Sequence, residues 1–231
     1  MIGSIGPLRG GPSYVLRNMV TGLAERGLEV DVATTDDNGP ERLEVPVGVP
    51  VKEQGVTYWY FPRQTRLYTC SLPLAGWLWK NIGNYDLVHI HAIFNYPSTV
   101  AAWIARAKGV PYIVRPLGVL NEWGRKNRRR LTKKMSFMAI EQSVLDHAKI
   151  IHYTSDQERI EAEQAGARTA FVIIANPTDM EAVDRQRYAG RFRDKYAIPP
   201  GAKLVIFLSR ISPKKGLDLL IPAFEIGRAH V

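Results

Sequence analysis

The chain of 231 residues, 45% hydrophobic and 23% charged, is long enough for one large or two small domains with a true core. Its 31 Lys and Arg against 22 Asp and Glu leave a formal charge of +9, which favours anionic partners without choosing among nucleotides, acidic headgroups and nucleic acid. One cysteine, Cys70, excludes an internal disulfide; no apolar run reaches the roughly 20 residues that span a bilayer, and no signal peptide opens the chain, so the expected setting is cytoplasmic.

Only Met1-Ile2-Gly3-Ser4-Ile5 precedes the loop Pro7-Leu8-Arg9-Gly10-Gly11-Pro12-Ser13, so the first strand reads as clipped. Gly10 and Gly11 let backbone N–H groups approach an anion, and Pro12 suits the first turn of a helix. A plain strand-to-helix turn is the other reading of the same residues. Tyr14, Val15, Met19, Val20, Leu23 and Ala24 predict the apolar face of a helix over 14–26, with Gly27 at its C-terminus and a strand over 28–34. Residues 36–50 read as a loop, 56–61 as a β-branched and aromatic strand, and 72–79 as the start of a helix.

Asp86 to His91 predicts a short buried strand ending in a polar residue, followed by a helix over 99–108. In a parallel sheet, polar strand ends face ligands, which makes His91 a candidate site residue beside the bland reading of a core histidine. A strand over 110–114 runs into Arg115-Pro116-Leu117-Gly118-Val119-Leu120-Asn121-Glu122-Trp123, a mixed loop of the kind that carries function. Arg125, Lys126, Arg128, Arg129, Arg130, Lys133 and Lys134 follow, then an apolar-periodic helix through Val144. A strand over 149–154 leads to Ser155, a helix cap with acids behind it, and a strand over 171–174 leads to Asn176-Pro177. A polar helix over 185–196, the linker Ile198-Pro199-Pro200-Gly201, a strand over 203–210 and a helix over 217–224 complete the pattern.

Taken together, the Gly10-Gly11 loop, Asp86 to His91, Arg115 to Trp123, Leu145 through Ser155, Asn176-Pro177 and above all Ser209-Arg210-Ile211-Ser212-Pro213-Lys214-Lys215-Gly216 resemble the retaining, nucleotide-sugar-dependent glycosyltransferases of family 4. The resemblance implies an α/β fold of the GT-B type. A Rossmann-like parallel sheet flanked by helices would occupy 1–198, a second Rossmann-like domain would begin and be truncated at 199–224, and 225–231 would be a non-native tail. Glu225 to Val231 resembles a translated sequencing adapter, and the chain is expected to be a gene fragment without activity of its own.

The resemblance assigns Arg210 and Lys215, with Gly10 and Gly11, to the donor diphosphate, and Arg115, Gly118, Glu122, Trp123 and Asn176 to the acceptor side. It implies a nucleotide-sugar donor, a saccharide or lipid-linked acceptor, and no cofactor or metal, in keeping with the lack of an Asp-x-Asp triplet. Many members carry a histidine where this chain has Arg115-Pro116-Leu117-Gly118, which leaves His91 as the catalytic candidate. The run from Arg125 to Lys134 has three readings: a solvated face, a contact with an anionic membrane surface, and a nucleic-acid patch, the last disfavoured because no stacking platform accompanies it. A nicotinamide enzyme would need Gly-x-Gly-x-x-Gly, which Gly10-Gly11-Pro12 does not provide. A non-catalytic anion- or membrane-surface-binding α/β module is the alternative function.

Overall fold

The computed structural model describes residues 1–120, 140–178, 188–209, 211 and 213–229. The chain divides into two compact units, Met1–Thr178 and Asp179–Val231, a division that falls ahead of the Ile198-Pro199-Pro200-Gly201 segment.

In chain order the first unit holds α1 (Gly11–Ala24), β1 (Val30–Thr35), the short antiparallel pair β2 (Asp37–Asn38) and β3 (Glu41–Arg42), β4 (Pro50–Glu53), β5 (Val56–Phe61) and α2 (Leu72–Asn81). It continues with β6 (Val88–His91), α3 (Tyr96–Ala107), β7 (Tyr112–Arg115), α4 (Gln142–Asp146), β8 (Ile150–Tyr153), α5 (Asp156–Gln164) and β9 (Phe171–Ile173). β1 pairs with β5 in parallel, β4 closes the outer edge antiparallel to β5, and β6, β7, β8 and β9 form a second parallel run. Met1–Ile5 lies between the two runs. Ile2 bridges His91 and Ser4 bridges Thr35, both in parallel, while the Ile2 amide donates to Ala33 and the His91 amide to Met1. The short apolar stretch read as a clipped strand thus joins three strands to four across one surface.

Alternation along these strands sorts the side chains. Ile90, Val114, Ile151 and Tyr153 fall in one cluster with Leu74 and Leu78 of α2 and Ala101, Ala102 and Ala105 of α3, whose small side chains let the helix approach closely. A separate cluster joins Ile2, Ile5, Val32, Val56, Tyr58 and Tyr60 to Leu16 and Val20 of α1. The buried face of α1 is Ser13, Leu16 and Val20, spaced three and four residues apart. Tyr14, expected in that face, is 63% exposed, because the stripe begins one residue before it. An aromatic group sits against α2, with Trp59 and Trp77 centroids 5.1 Å apart and Trp77 and Tyr85 6.4 Å apart. Its polar handles converge, since Trp59 Nε1 and Tyr85 OH donate to Asp31 at 3.0 and 2.6 Å.

Residues 36–50, read as a loop, contain β2, β3 and the first residue of β4; two-residue ladders are too short to leave a period in sequence. The second unit holds α6 (Arg191–Lys195) and α7 (Leu217–Ala229), the latter with Pro222 inside it. The strand expected over 203–210 does not form among the described residues. Val205, Ile206 and Leu208 are exposed there, and an apolar run becomes a strand only when a partner completes its ladder.

Two substitutions test this account of the first unit. Ser155 caps α5 by accepting from the Glu158 amide at 3.2 Å, and Ser155→Ala is expected to lower stability by about 1 kcal/mol. Ile151→Ala, at a fully buried position, is expected to lower it by roughly 2–5 kcal/mol. Urea unfolding followed by circular dichroism reads both, and equal losses would contradict the division between cap and core.

Candidate functional site

Because Met1–Ile5, β1, β5, β6, β7, β8 and β9 run parallel, their C-terminal ends share one edge, where open α/β sheets take ligands. The glycine loop leaves Met1–Ile5 at that edge and is fixed from below. The Leu8 amide donates to Asn38 Oδ1 at 3.0 Å, Ser13 Oγ donates to the Gly6 carbonyl at 3.0 Å, and Arg9 Nε donates to Asp37 Oδ2 at 2.6 Å. Asp37 is 1% exposed and also pairs with the buried Arg63, whose amide donates to Asp36 at 2.7 Å. Gly6 is confined by contact, since a Cβ there would meet Asn38 Oδ1 at 2.6 Å and the Asp37 carbonyl at 2.7 Å. Gly10 has φ of +75° with open space around it, so its glycine answers to backbone conformation. No side chain caps α1 at Gly10 and its first turn carries no acid, but the Gly10 amide donates to the Pro7 carbonyl, Pro12 has no N–H and the Ser13 amide donates to the Gly10 carbonyl. At this helix start it is therefore the Gly11 amide that has no partner among the described residues, beside the partial positive charge of the helix end.

Along the same edge, β6, β7 and β8 end in His91, Arg115 and Tyr153. His91 stands opposite Arg115, and His152 lies one residue beyond the Val114 and Ile151 pair, so the three occupy neighbouring positions in one row. Arg115 is wholly buried; its Nη2 donates to Asn176 Oδ1, and its Nε and Nη1 have no partner among the described residues. The nearby Glu158 carboxylate is taken by backbone and hydroxyl donors, Thr154 N and Oγ1 at 2.7 Å and Gly118 N at 2.5 Å. His152 Nε2 donates to the Ile174 carbonyl at 3.0 Å. Ala92, Phe94 and Leu117 adopt left-handed backbone conformations in the loops after β6 and β7, the kind of local strain found at ligand sites.

Burial governs the protonation of this row. It pushes His91 well below the usual imidazole range, with His89 and other nearby positive groups adding to the effect, and it lowers His89 to about 3 and His152 below its ordinary value. His91 is 2% exposed and its ring lies 4.4 Å from that of His89, so the residue singled out as catalytic from its strand-end position is an interior, neutral imidazole.

The structure brings Arg115, Gly118 and Asn176 together and places Gly10 and Gly11 on the same sheet edge. Lys215 is exposed in the turn Pro213–Lys215 of the second unit. Glu122, Trp123, the run from Arg125 to Lys134 and Arg210 lie outside the described residues. Sequence reasoning missed Gly6, Asp37, Arg63 and Glu158. Asp36-Asp37 read only as turn chemistry, and Glu158 only as a helix-start acid, since nothing local shows that a side chain folds back under a neighbouring strand. Concavities of about 490 and 350 Å³ lie at the opposite ends of the strands, lined respectively by Glu29, Asp31 and Lys52 and by Arg106, Tyr112 and His147. Among the described residues no group of three or more His, Cys, Asp and Glu is placed to hold a metal, and no helix is long and apolar enough to cross a membrane.

Residues 10–177 match the family described as a glycosyl transferase 4-like domain, and the chain belongs to that family. Its relatives include the D-inositol 3-phosphate glycosyltransferase of Actinosynnema mirum, 27% identical over 93% of this chain and 53% of that protein. A second, D-inositol 3-phosphate glycosyltransferase 2 of Catenulispora acidiphila, is 26% identical over 93% of this chain and 52% of its own length. Among solved structures, Anabaena Alr3699/HepE in complex with UDP and glucose superposes with a TM-score of 0.63 at 18% identity, over 96% of this chain and 56% of that one. The same protein in complex with UDP-glucose gives 0.64. The fold is that of GT-B glycosyltransferases, and the chain spans about half the length of the curated relatives it matches.

Asp37→Ala would leave the buried Arg63 guanidinium without its carboxylate, and a loss of roughly 3–5 kcal/mol is expected by urea unfolding. The histidine row predicts a pH dependence. Above about pH 6.5 these imidazoles are neutral in both states; below it the unfolded chain takes up protons that the folded chain refuses. Stability therefore falls as pH drops from about 6.5 toward the lower folded values, by up to about 1.4 kcal/mol per pH unit for each histidine. Urea midpoints between pH 8 and 5 read this slope, and a flat profile would contradict the neutral row.

Proposed function

We propose that the protein transfers a hexosyl group from a nucleoside-diphosphate sugar, UDP-glucose being the first donor to try, to a hydroxyl of a saccharide-like acceptor with retention of configuration. The observation that carries this reading is the family match over 10–177, which runs from the glycine loop through every strand end of the polar edge. Support for the donor comes from the UDP and UDP-glucose complexes of Anabaena Alr3699/HepE, and for a polyol or saccharide acceptor from the D-inositol 3-phosphate glycosyltransferases.

The chemistry asks chiefly for stabilisation of the negative charge that grows on the departing diphosphate. Arg210 and Lys215 supply cations for it, and Gly10 and Gly11 form the turn into α1, where the Gly10 amide is taken by the Pro7 carbonyl and the Gly11 amide is the donor offered to the diphosphate. In this reading no metal is needed, since the cations do its electrostatic work. The acceptor side consists of Arg115, Gly118 and Asn176, together with Glu122 and Trp123, which follow β7 in the sequence. His91, neutral and enclosed, acts as a positioning residue that packs the β6 end against Arg115. The setting is cytoplasmic, and the run from Arg125 to Lys134 offers an anionic membrane surface a contact when the acceptor is lipid-linked.

The test is turnover by the full-length protein, with candidate nucleotide sugars offered together with inositol phosphates and saccharides and the linkage of the product read by NMR. An α-linked product from an α-linked donor is expected, and Lys215→Ala is expected to lower kcat/KM by about 100-fold or more. Inverted product would overturn retention. Release of nucleotide without glycosylated product would overturn transfer.

A further inference from the structure

Arg115 is in an unusual position for a buried guanidinium. It sits at the last position of β7 with no solvent exposure, and neither Nε nor Nη1 has an acceptor among the described residues. Its single described hydrogen bond runs from Nη2 to the neutral amide oxygen of Asn176, so no carboxylate of the described residues is bound to it. Glu158 is near enough to favour the charge, but its oxygens are engaged by Thr154 and Gly118. The row beside it does not compensate, because His91 and His152 are held neutral, and His89 Nε2 is a further buried nitrogen without a partner among the described residues. A buried cation with unmade hydrogen bonds is strongly destabilising, and an anionic oxygen relieves both the charge and the unpaired donors. The group lies on the ligand edge, three residues before Gly118, in a loop where Leu117 and Gly118 adopt left-handed conformations.

We propose that Arg115 is the specificity-determining residue that recognises an anionic group on the acceptor, with Nε–H and Nη1–H donating to a phosphate or carboxylate oxygen. Resting on the reading of this edge as the acceptor side, the proposal makes the substrate an anionic saccharide or polyol. Asn176 is the positioning residue: it takes Nη2 and leaves the other two nitrogens to the ligand. It also lies two residues before Thr178, where the first unit ends, so the residue that orients Arg115 stands at the exit of the chain from that unit. Entry of an anion requires local opening around a side chain that has no exposure, so association is expected to be slower than for an open surface site.

The test follows the Arg115 Nε–H resonance of the 231-residue chain by nitrogen-edited NMR. Inorganic phosphate and D-glucuronate are titrated in separate arms, with sodium chloride at matched ionic strength as control. A saturable shift with phosphate or glucuronate and none with chloride is expected, and the anion that saturates at the lower concentration identifies the acceptor group. Arg115→Lys keeps the charge but loses Nε and the planar fork, and its half-saturating concentration is expected to rise about tenfold or more, followed by calorimetry. An Nε–H signal unmoved by both anions overturns the proposal, as does a folded Arg115→Met that binds phosphate as tightly as the parent. Should Arg115→Met fail to fold, the titration of the unsubstituted chain decides alone. Sugar transfer by the full-length protein with no response at Arg115 removes this inference and leaves the transferase reading standing. A response at Arg115 without sugar transfer does the reverse.

Discussion

The shared C-terminal edge of the sheet depends on five residues at the start of the chain. Without Met1–Ile5 the structure would hold a run of three strands and a run of four, each with an open edge, and the glycine loop and the Arg115 row would belong to different surfaces. The insertion needs two small residues, because Gly3 lies against Asn95 and Gly6 against Asp37 and Asn38. It also supplies the backbone partners that β1 and β6 lack on their inner sides, which is why so short a segment is held from both directions.

The polar edge illustrates two ways of stabilising buried charge. At the end of β1, Asp37 meets both Arg63 and Arg9, and the glycine loop is held by that pairing. At the end of β7 the cation stands with an amide, and the nearest carboxylate serves the backbone. The first arrangement is complete as folded and reads as architecture. Among the described residues the second is incomplete, and a buried donor left unmade calls for an explanation, which the anion site proposed for Arg115 supplies.

Most of the parallel sheet was legible in the sequence, because its strands are short runs rich in β-branched and aromatic residues, several of them buried nearly throughout. The run 56–61 forms a strand over its full predicted length, and Ser155 caps α5 as its spacing to Glu158 predicts. What failed is what sequence period does not carry. Tyr14 lies at helical spacing yet faces out, since the neighbouring strands decide which stripe is covered. The 203–210 run has every local feature of a strand but no described partner, and pairing is not a local property. At the site, strand-end position singled out His91, while Arg115 read as the first residue of the loop after its strand, and neither reading reveals that both side chains are buried. Asp37, Gly6 and Glu158 were invisible because their roles depend on contacts 20 or more residues away, or on a side chain turning back beneath its own helix.

The aromatic group around Asp31 has a practical consequence. All five tryptophans, Trp59, Trp77, Trp79, Trp103 and Trp123, fall within Met1–Thr178, and the second unit has only tyrosine and phenylalanine. Intrinsic tryptophan fluorescence therefore reports on the first unit alone, with Trp59 and Trp77 as its interior probes. The emission of the second unit, excited at shorter wavelength, comes from Tyr188 and Tyr196. Eight of the ten tyrosines lie in the first unit as well, so tyrosine emission does not separate the units, and tryptophan is the optical label specific to one of them.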